Sequence, residues 1–293
     1  MVDPSVAVVT MVRDDIFFLK KWVSYYGDQF GRENLYVINH AREAAVAAAA
    51  EGCNIIGIPE GDNKKFDIKR WRLLNGFVNG LLGYYAHVIV GDVDEYIVAD
   101  PAHWTSLSDC LYRNRKPQVL TPFGLEVTHL PDREPEGIES RLLGPRRFAQ
   151  IASSYAKPCV LTSFVKLSRG GHFAEHETLV MPKGLYLLHM RFVDRALYTD
   201  TMNRRNAVVA ETGAAKPQDV MIGRHWFAGQ RDDDRVFSAF AGRPVKDGFG
   251  FDAEREALAK SWHRRGDTGN TWQFDDLPQD CLYELPERLF GLL

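Results

Sequence analysis

Long hydrophobic runs are missing from this chain: none approaches the ~20 apolar residues that a membrane-spanning helix needs. Cysteine is scarce as well. Cys53, Cys110, Cys159 and Cys281 stand far apart and form no CxxC pair, which argues against a zinc ribbon and against a disulfide-stapled secreted domain. Buried, reduced thiols in a cytoplasmic protein are the expectation. The segment MVDPSVAVVTMVRDD has no basic stretch ahead of its apolar run, so it does not have the pattern of a signal peptide. Charge of one sign is also lacking. A net charge of −3 provides no global field for nucleic acid or an anionic membrane, so any basic function must be local. There is no internal repeat, and no low-complexity tract beyond AAVAAAA.

What is present is ordinary for a globular chain: 45% hydrophobic and 26% charged residues, over a length of 293 that supports a sizeable core. Strand and helix patterns alternate through the first hundred residues. SVAVVTMV (5–12) is a β-branched run expected to form a buried strand. DDIFFLKKWVSYYGDQFG follows with apolar residues at helical spacing, and Asp14 or Asp15 is placed to cap it. NLYVINH (34–40) is the next strand, the alanine-rich segment after it is a helix stopped by Gly52, and CNIIGIPEG (53–61) is a third strand. FDIKRWRLLNGFVNGLLGYY (66–85) is a long amphipathic helix, and AHVIVGDVDEYIV returns as the fourth strand. This order predicts an α/β fold with a mainly parallel sheet and right-handed crossovers, whose ligands bind beyond the carboxyl ends of the strands.

After residue 100 the rhythm breaks. PDREPEGIESRLLGPRRFAQ (131–150), rich in proline, glycine and charge, has the pattern of a long surface loop, and the wider stretch 129–157 is expected to cover an acceptor or close over a donor. Strands are expected at 158–168, in ETLVMPKG and in LYLLHMRF (185–192), with helical pieces beyond Val193. The expected division is a catalytic unit over residues 1–200 and a helical C-terminal extension, 201–293, packed on it.

The fourth strand runs from pure aliphatics into Asp92, Asp94 and Glu95, with nothing basic beside them in the sequence. Strand alternation points Asp92 and Asp94 to one side and Val93 to the other. Converging carboxylates at the mouth of a buried strand require a cation or a shared proton. Oxygen ligands suit Mg²⁺ or Mn²⁺, which complete their shells with substrate phosphates. On this view, neutralising Asp94 relieves repulsion in the metal-free protein. KKFDIKRWR (64–72) adds Lys64, Lys65, Lys69, Arg70 and Arg72 near a helix N-terminus, a combination that favours phosphate.

VVTMVRDDIFFLKKWVSYYGDQFGRENLYVINH, GDVDEYIVADP, GGHF and LYLLHMRFVD together resemble the family 2-like bacterial glycosyltransferases, relatives of the family 92 enzymes, over about residues 5 to 200. The resemblance implies a GT-A type nucleotide-diphospho-sugar transferase fold, a Rossmann-like sheet flanked by helices. It implies a Mn²⁺ or Mg²⁺ ion held by Asp92, Asp94 and His189, with Asp94 also serving catalysis. It places the donor against Thr10, Val12, Arg13, Asp14, Asn39, Lys65, Lys69, Arg70, Asp92 and Val93. The implied partners are a nucleotide diphosphate sugar and a glycan or glycolipid acceptor of surface polysaccharide synthesis, with room for peripheral membrane contact and none for nucleic acid. The chain departs from the family pattern at Asp14-Asp15, often Asn-Glu, and at Lys21-Trp22, often Glu-Trp.

HFAEH (172–176) fits the H-x-x-E-H zinc-protease pattern, but no helical period surrounds it, whereas that chemistry needs both histidines on one helix face. Within the transferase reading, Glu175 or Glu177 of this segment is the expected base for the acceptor hydroxyl, with Glu175 preferred. Two rivals stand beside that reading: a zinc metallohydrolase built on HFAEH, and a non-catalytic module that binds nucleotide sugars or glycans.

Overall fold

Strand β1 (Val6–Val12) is buried along its whole length, and its alternate residues serve two different cores. Val6, Val8 and Val12 face one cluster, Ala7, Val9 and Met11 the other. A strand covered on both faces favours apolar residues at nearly every position, which explains the valine-rich run broken only by Thr10. The covering elements are helices α1 (Ile16–Phe30) and α3 (Phe66–Leu81). α1 buries Phe18, Leu19, Trp22, Val23, Tyr26 and Phe30, α3 buries Trp71, Leu74, Val78 and Leu81, and each set is one helical face. The computed structural model describes residues 5–61, 65–212, 230–266 and 269–293; Lys64 lies outside the described residues.

The protein is an α/β structure built on two six-stranded sheets. In the first, β1 pairs in parallel with β2 (Leu35–His40) and with β4 (His87–Val90), and β2 pairs in parallel with β3 (Asn54–Ile58). The short α2 (Ala44–Ala49) connects β2 to β3. This is the parallel arrangement that the alternating sequence predicts. The fourth strand, however, does not run on to residue 98. β4 stops at Val90, residues 91–94 form a turn, and β5 (Glu95–Ala99) enters the second sheet. The chain therefore changes sheets at the acidic segment. Backbone bonds lock that turn: Gly91 N–H donates to Val9 O at 3.2 Å, Glu95 N–H to Asp92 O at 3.1 Å, and Met190 N–H to Asp94 O at 2.8 Å.

The chain continues through α4 (Leu107–Arg113) and β6 (Val119–Leu120) to β7 (Phe123–Thr128), β8 (Phe148–Ile151) and β9 (Val160–Leu161). Then come β10 (Leu185–Phe192), α5 (Arg195–Thr212), α6 (Gln230–Ala241), β11 (Val245–Lys246) and α7 (Asp252–Lys260). A hairpin of β12 (His263–Arg264) and β13 (Trp272–Gln273) and then β14 (Leu282–Glu284) complete it. The second sheet has the order β11-β14-β8-β7-β10-β5.

Three expectations change here. Residues 177–184 make no strand, because Pro182 lacks an N–H to donate to a ladder, and 158–168 shrinks to the two residues of β9. The 131–150 segment is irregular yet pinned to the core. Ile138, Leu142 and Leu143 are buried, and Arg146 is 1% exposed, donating to Val193 O, Glu136 O and Asp194. Arg146 sits in that network and Arg147 pairs with Glu284, so this part of the segment is anchored to the fold. Residues past 200 are not a separate helical layer, since α5 spans that boundary and β11 and β14 extend the second sheet. No helix among the described residues is long and apolar enough to cross a membrane. The four cysteines are free, and three are buried.

Gly124 of β7 lies directly beneath the 3-10 turn Ser153–Tyr155. A methyl group there would sit 2.4 Å from backbone atoms of Ala152, Tyr155 and Ala156. Backbone cannot yield as a flexible side chain can. Gly124→Ala is expected to cost about 2–3 kcal/mol in chemical denaturation, and unchanged stability would mean that this turn is not seated on β7.

Candidate active site

Sheet register assembles the site. In β10, His189 stands opposite Glu95 of antiparallel β5 on one side and Glu126 of parallel β7 on the other. Residues in register across neighbouring strands project to the same face, so three ionisable side chains line up where the chain changes sheets. His189 Nδ1 is 2.8 Å from Glu126 Oε1, and His189 Nε2 is 3.4 Å from Asp94 Oδ2. The Tyr155 ring stacks on the imidazole with centroids 3.7 Å apart.

The acidic segment is not left without cations. Arg70 of α3 pairs with Asp92, Lys157 pairs with Glu95, and His189 faces Asp94. The sequence places no base nearby because these partners arrive from distant elements. Burial alone would lower the His189 pKa, but the Glu126 and Asp94 carboxylates outweigh it and raise it to about 9. Burial likewise opposes ionisation of Asp94, yet His189, chiefly, holds its carboxyl below the usual range. Lys157 follows the same logic: burial disfavours its charge, while Glu95 and Asp92 keep it cationic.

These groups open onto a cleft of about 570 Å³. Its floor includes Val12, Asp92, Val93, Asp94, Glu95 and His189, and one side carries Met11, Arg13, His40, Phe66, Asp67 and Arg70. The late elements close it with Arg191 of β10, Thr201, Arg204 and Arg205 of α5, and Arg265 beside the β12–β13 hairpin. Arg204 also donates to the backbone O of Asp14 at 2.7 Å. Asp14 is in the left-handed region, φ 51°, and Asp14 and Asp15 both line the cleft. Asp15 is the residue preceding α1, but its side chain makes no capping hydrogen bond, contrary to the expected role. Burial first, and then repulsion from Asp94, raise its pKa to about 6.

The other residues expected at the site fall in different places. Arg13 lines the cleft in an ion pair with Glu60 at 2.7 Å. Thr10 is fully buried in β1 and does not reach the cleft. Asn39 exchanges hydrogen bonds with the backbone of Glu43 and serves the turn after β2. Lys65 occupies the N-cap of α3 in left-handed backbone, and neither it nor Lys69 lines the cleft. Glu175 is outside as well, paired with Lys166 at 2.6 Å. The HFAEH segment is irregular, so its histidines do not share a helix face. His172 lines the cleft, with Nδ1 2.6 Å from Ser154 O, and burial, then Lys157, lower its pKa to about 3.

Glu126, Tyr155, Lys157 and the arginines of α5 escaped the sequence reading. Glu126 alone left a signal: it is the one charged residue in FGLEVT, a stretch that otherwise reads as buried strand.

A divalent ion fits part of this set. Asp94, Glu95 and His189 offer ligand atoms that all lie within 4.8 Å of one another. Asp94 and His189 face each other closely enough to ligate one small ion, and the ring's other nitrogen rests against a carboxylate, as in many metal sites. Asp92 and Glu95 are engaged by Arg70 and Lys157, so Asp94 and His189 are the two residues that would hold such an ion.

No family model matches the chain, and no curated protein does. Among solved structures it is similar to a mannose-1-phosphate geranyltransferase from Thermus thermophilus, at 12% identity and a TM-score of 0.31. That similarity spans 75% of this chain and 72% of the other. It is too slight to bear on activity, which rests on the geometry.

Asp15 yields a pH-dependent prediction. Its carboxyl titrates at 3.8 ordinarily and at about 6 in the fold. The stability it contributes is therefore full below the lower value and lost as pH rises through the higher one. Asp15→Asn removes that loss. The variant is expected to match wild type near pH ~4 and to be about 1–3 kcal/mol more stable at pH ~7.5 by thermal denaturation. Equal curves at both would show that Asp15 is not held against its charge.

Proposed function

We propose that the protein is a divalent-cation-dependent glycosyltransferase of the GT-A type, moving a sugar from a nucleotide diphosphate donor to a hydroxyl of a glycan or glycolipid. The observation that carries this reading is the Asp94–His189 pair, 3.4 Å apart, at an acidic turn in a cleft that the arginines of α5 also line. The sequence resemblance over residues 5 to 200 supports it independently. Mn²⁺ or Mg²⁺ held by Asp94 and His189 would supply positive charge to the leaving diphosphate.

Arg191, Arg204 and Arg205, which line the same cleft, would bind the diphosphate oxygens through charge-assisted contacts. Arg70 holds Asp92 in place, and Lys157 pairs with Glu95, whose carboxyl burial pushes above its usual range despite that cation. Asp15 replaces Glu175 as the base, because it lines the cleft and titrates near working pH. It takes the acceptor hydroxyl proton as the new carbon–oxygen bond forms at the anomeric carbon. The bond to the diphosphate breaks, and the diphosphate leaves with the electron pair.

The test is a thermal-shift screen of nucleotide sugars with and without Mn²⁺, followed by Asp94→Asn. Wild type is expected to show a donor shift that needs Mn²⁺, and the variant none. Pairing with His189 reverses the expectation that neutralising Asp94 relieves repulsion. Asp94→Asn should cost about 1.5–3 kcal/mol, the value of a lost charge-assisted contact. Mn²⁺-independent donor binding would refute the cation's role. Donor binding with neither transfer nor donor hydrolysis would point to a binding module.

A further inference from the structure

β7 is buried at every residue, and Glu126 is its one charged side chain. A carboxylate in such a strand has to be matched by a specific partner, and the register provides His189. The Nδ1–Oε1 contact of 2.8 Å lies between side chains that are each 5% exposed. The contact is an ion pair without the geometry of an aligned hydrogen bond, and neither atom has a hydrogen-bond partner among the described residues. One face of the imidazole is covered by Tyr155, stacked at 3.7 Å and 19°. Tyr155 is in turn held on β7, because its 3-10 turn packs against Gly124, two residues from Glu126. One strand thus supplies both constraints on the ring.

With Nδ1 against Glu126 and a face against Tyr155, Nε2 is the nitrogen left to face Asp94. We propose that Glu126, helped by Tyr155, is the positioning residue that fixes His189 so that Nε2 ligates the divalent ion. The proposal rests on the metal reading of the site given above. A carboxylate at the second nitrogen sets the tautomer and strengthens the ligating one. A glutamate that only balanced buried charge would affect stability and leave the ion's affinity alone.

The experiment measures uptake of Mn²⁺ alone, without donor, by electron paramagnetic resonance on the full chain. It compares wild type, Glu126→Gln and Tyr155→Leu, with melting curves for each. Glu126→Gln preserves volume and is expected to weaken Mn²⁺ about 10–100-fold; Tyr155→Leu should weaken it several-fold. With diamagnetic Zn²⁺ as a second probe, long-range proton–nitrogen spectra are expected to show Nε2 ligation in wild type and mixed ligation in Glu126→Gln. Unchanged Mn²⁺ affinity in both variants, with Nε2 still the ligand, would overturn the proposal. Wild-type protein that takes up Mn²⁺ neither alone nor with a nucleoside diphosphate defeats the proposed function itself, a result that the variant comparison cannot produce.

Discussion

Everything at the site depends on how buried charge is compensated where the chain passes from one sheet to the other. Asp92, Asp94, Glu95 and Glu126 together carry more negative charge than a low-dielectric interior tolerates alone. Arg70, Lys157 and His189 meet them there, each from a different part of the chain. The ionic row is possible because β10 runs between β5 and β7 with His189 in register with both glutamates. A slip of one residue would turn His189 away from that row.

The same compensation distinguishes the roles of the carboxylates. Asp92 and Glu95 each hold a permanent cation, and neither arginine nor lysine gives up its charge readily. Asp94 faces a histidine, whose proton can be exchanged for a metal ion. The pair best able to change partners is thus the pair at the centre of the cleft. Around it the arginines of β10, α5 and the C-terminal hairpin add positive charge to that of Arg13 and Arg70 from the early half of the chain. The residues beyond 200 are therefore part of the cleft, and the proline-rich 131–150 segment, held by buried Arg146, is part of the scaffold.

Local pattern made much of the architecture legible. Valine- and isoleucine-rich runs marked β1 and β4, a helical apolar face marked α1 and α3, and their alternation implied a mainly parallel sheet, seen where β1 pairs with β2 and β4. Asp92, Asp94 and His189 were also recognisable as candidates, the aspartates from their spacing at a strand end. Other expectations failed where side chains had local work to do. Asn39 bonds to Glu43 four residues on, and Glu175 bonds to Lys166 across a loop, so neither is available to a ligand. A sharp kink at the acidic residues was legible in VIVGDVDEYIV, but the change of sheets was not, because strand propensity is the same whichever sheet receives the strand.

By itself, then, the sequence determined the order of elements, which faces are apolar, and where carboxylates gather. These follow from short-range periodicity and backbone preference, which any few consecutive residues express. Tertiary structure alone decided which cation meets which anion: Arg70 is 22 residues from Asp92, and Lys157 is 62 from Glu95. It also decided that Asp15 is buried near Asp94, that Tyr155 covers the imidazole, and that Glu126 supports it. Burial and charge pairing depend on distances between strands and sheets, and those distances exist only once the register is set.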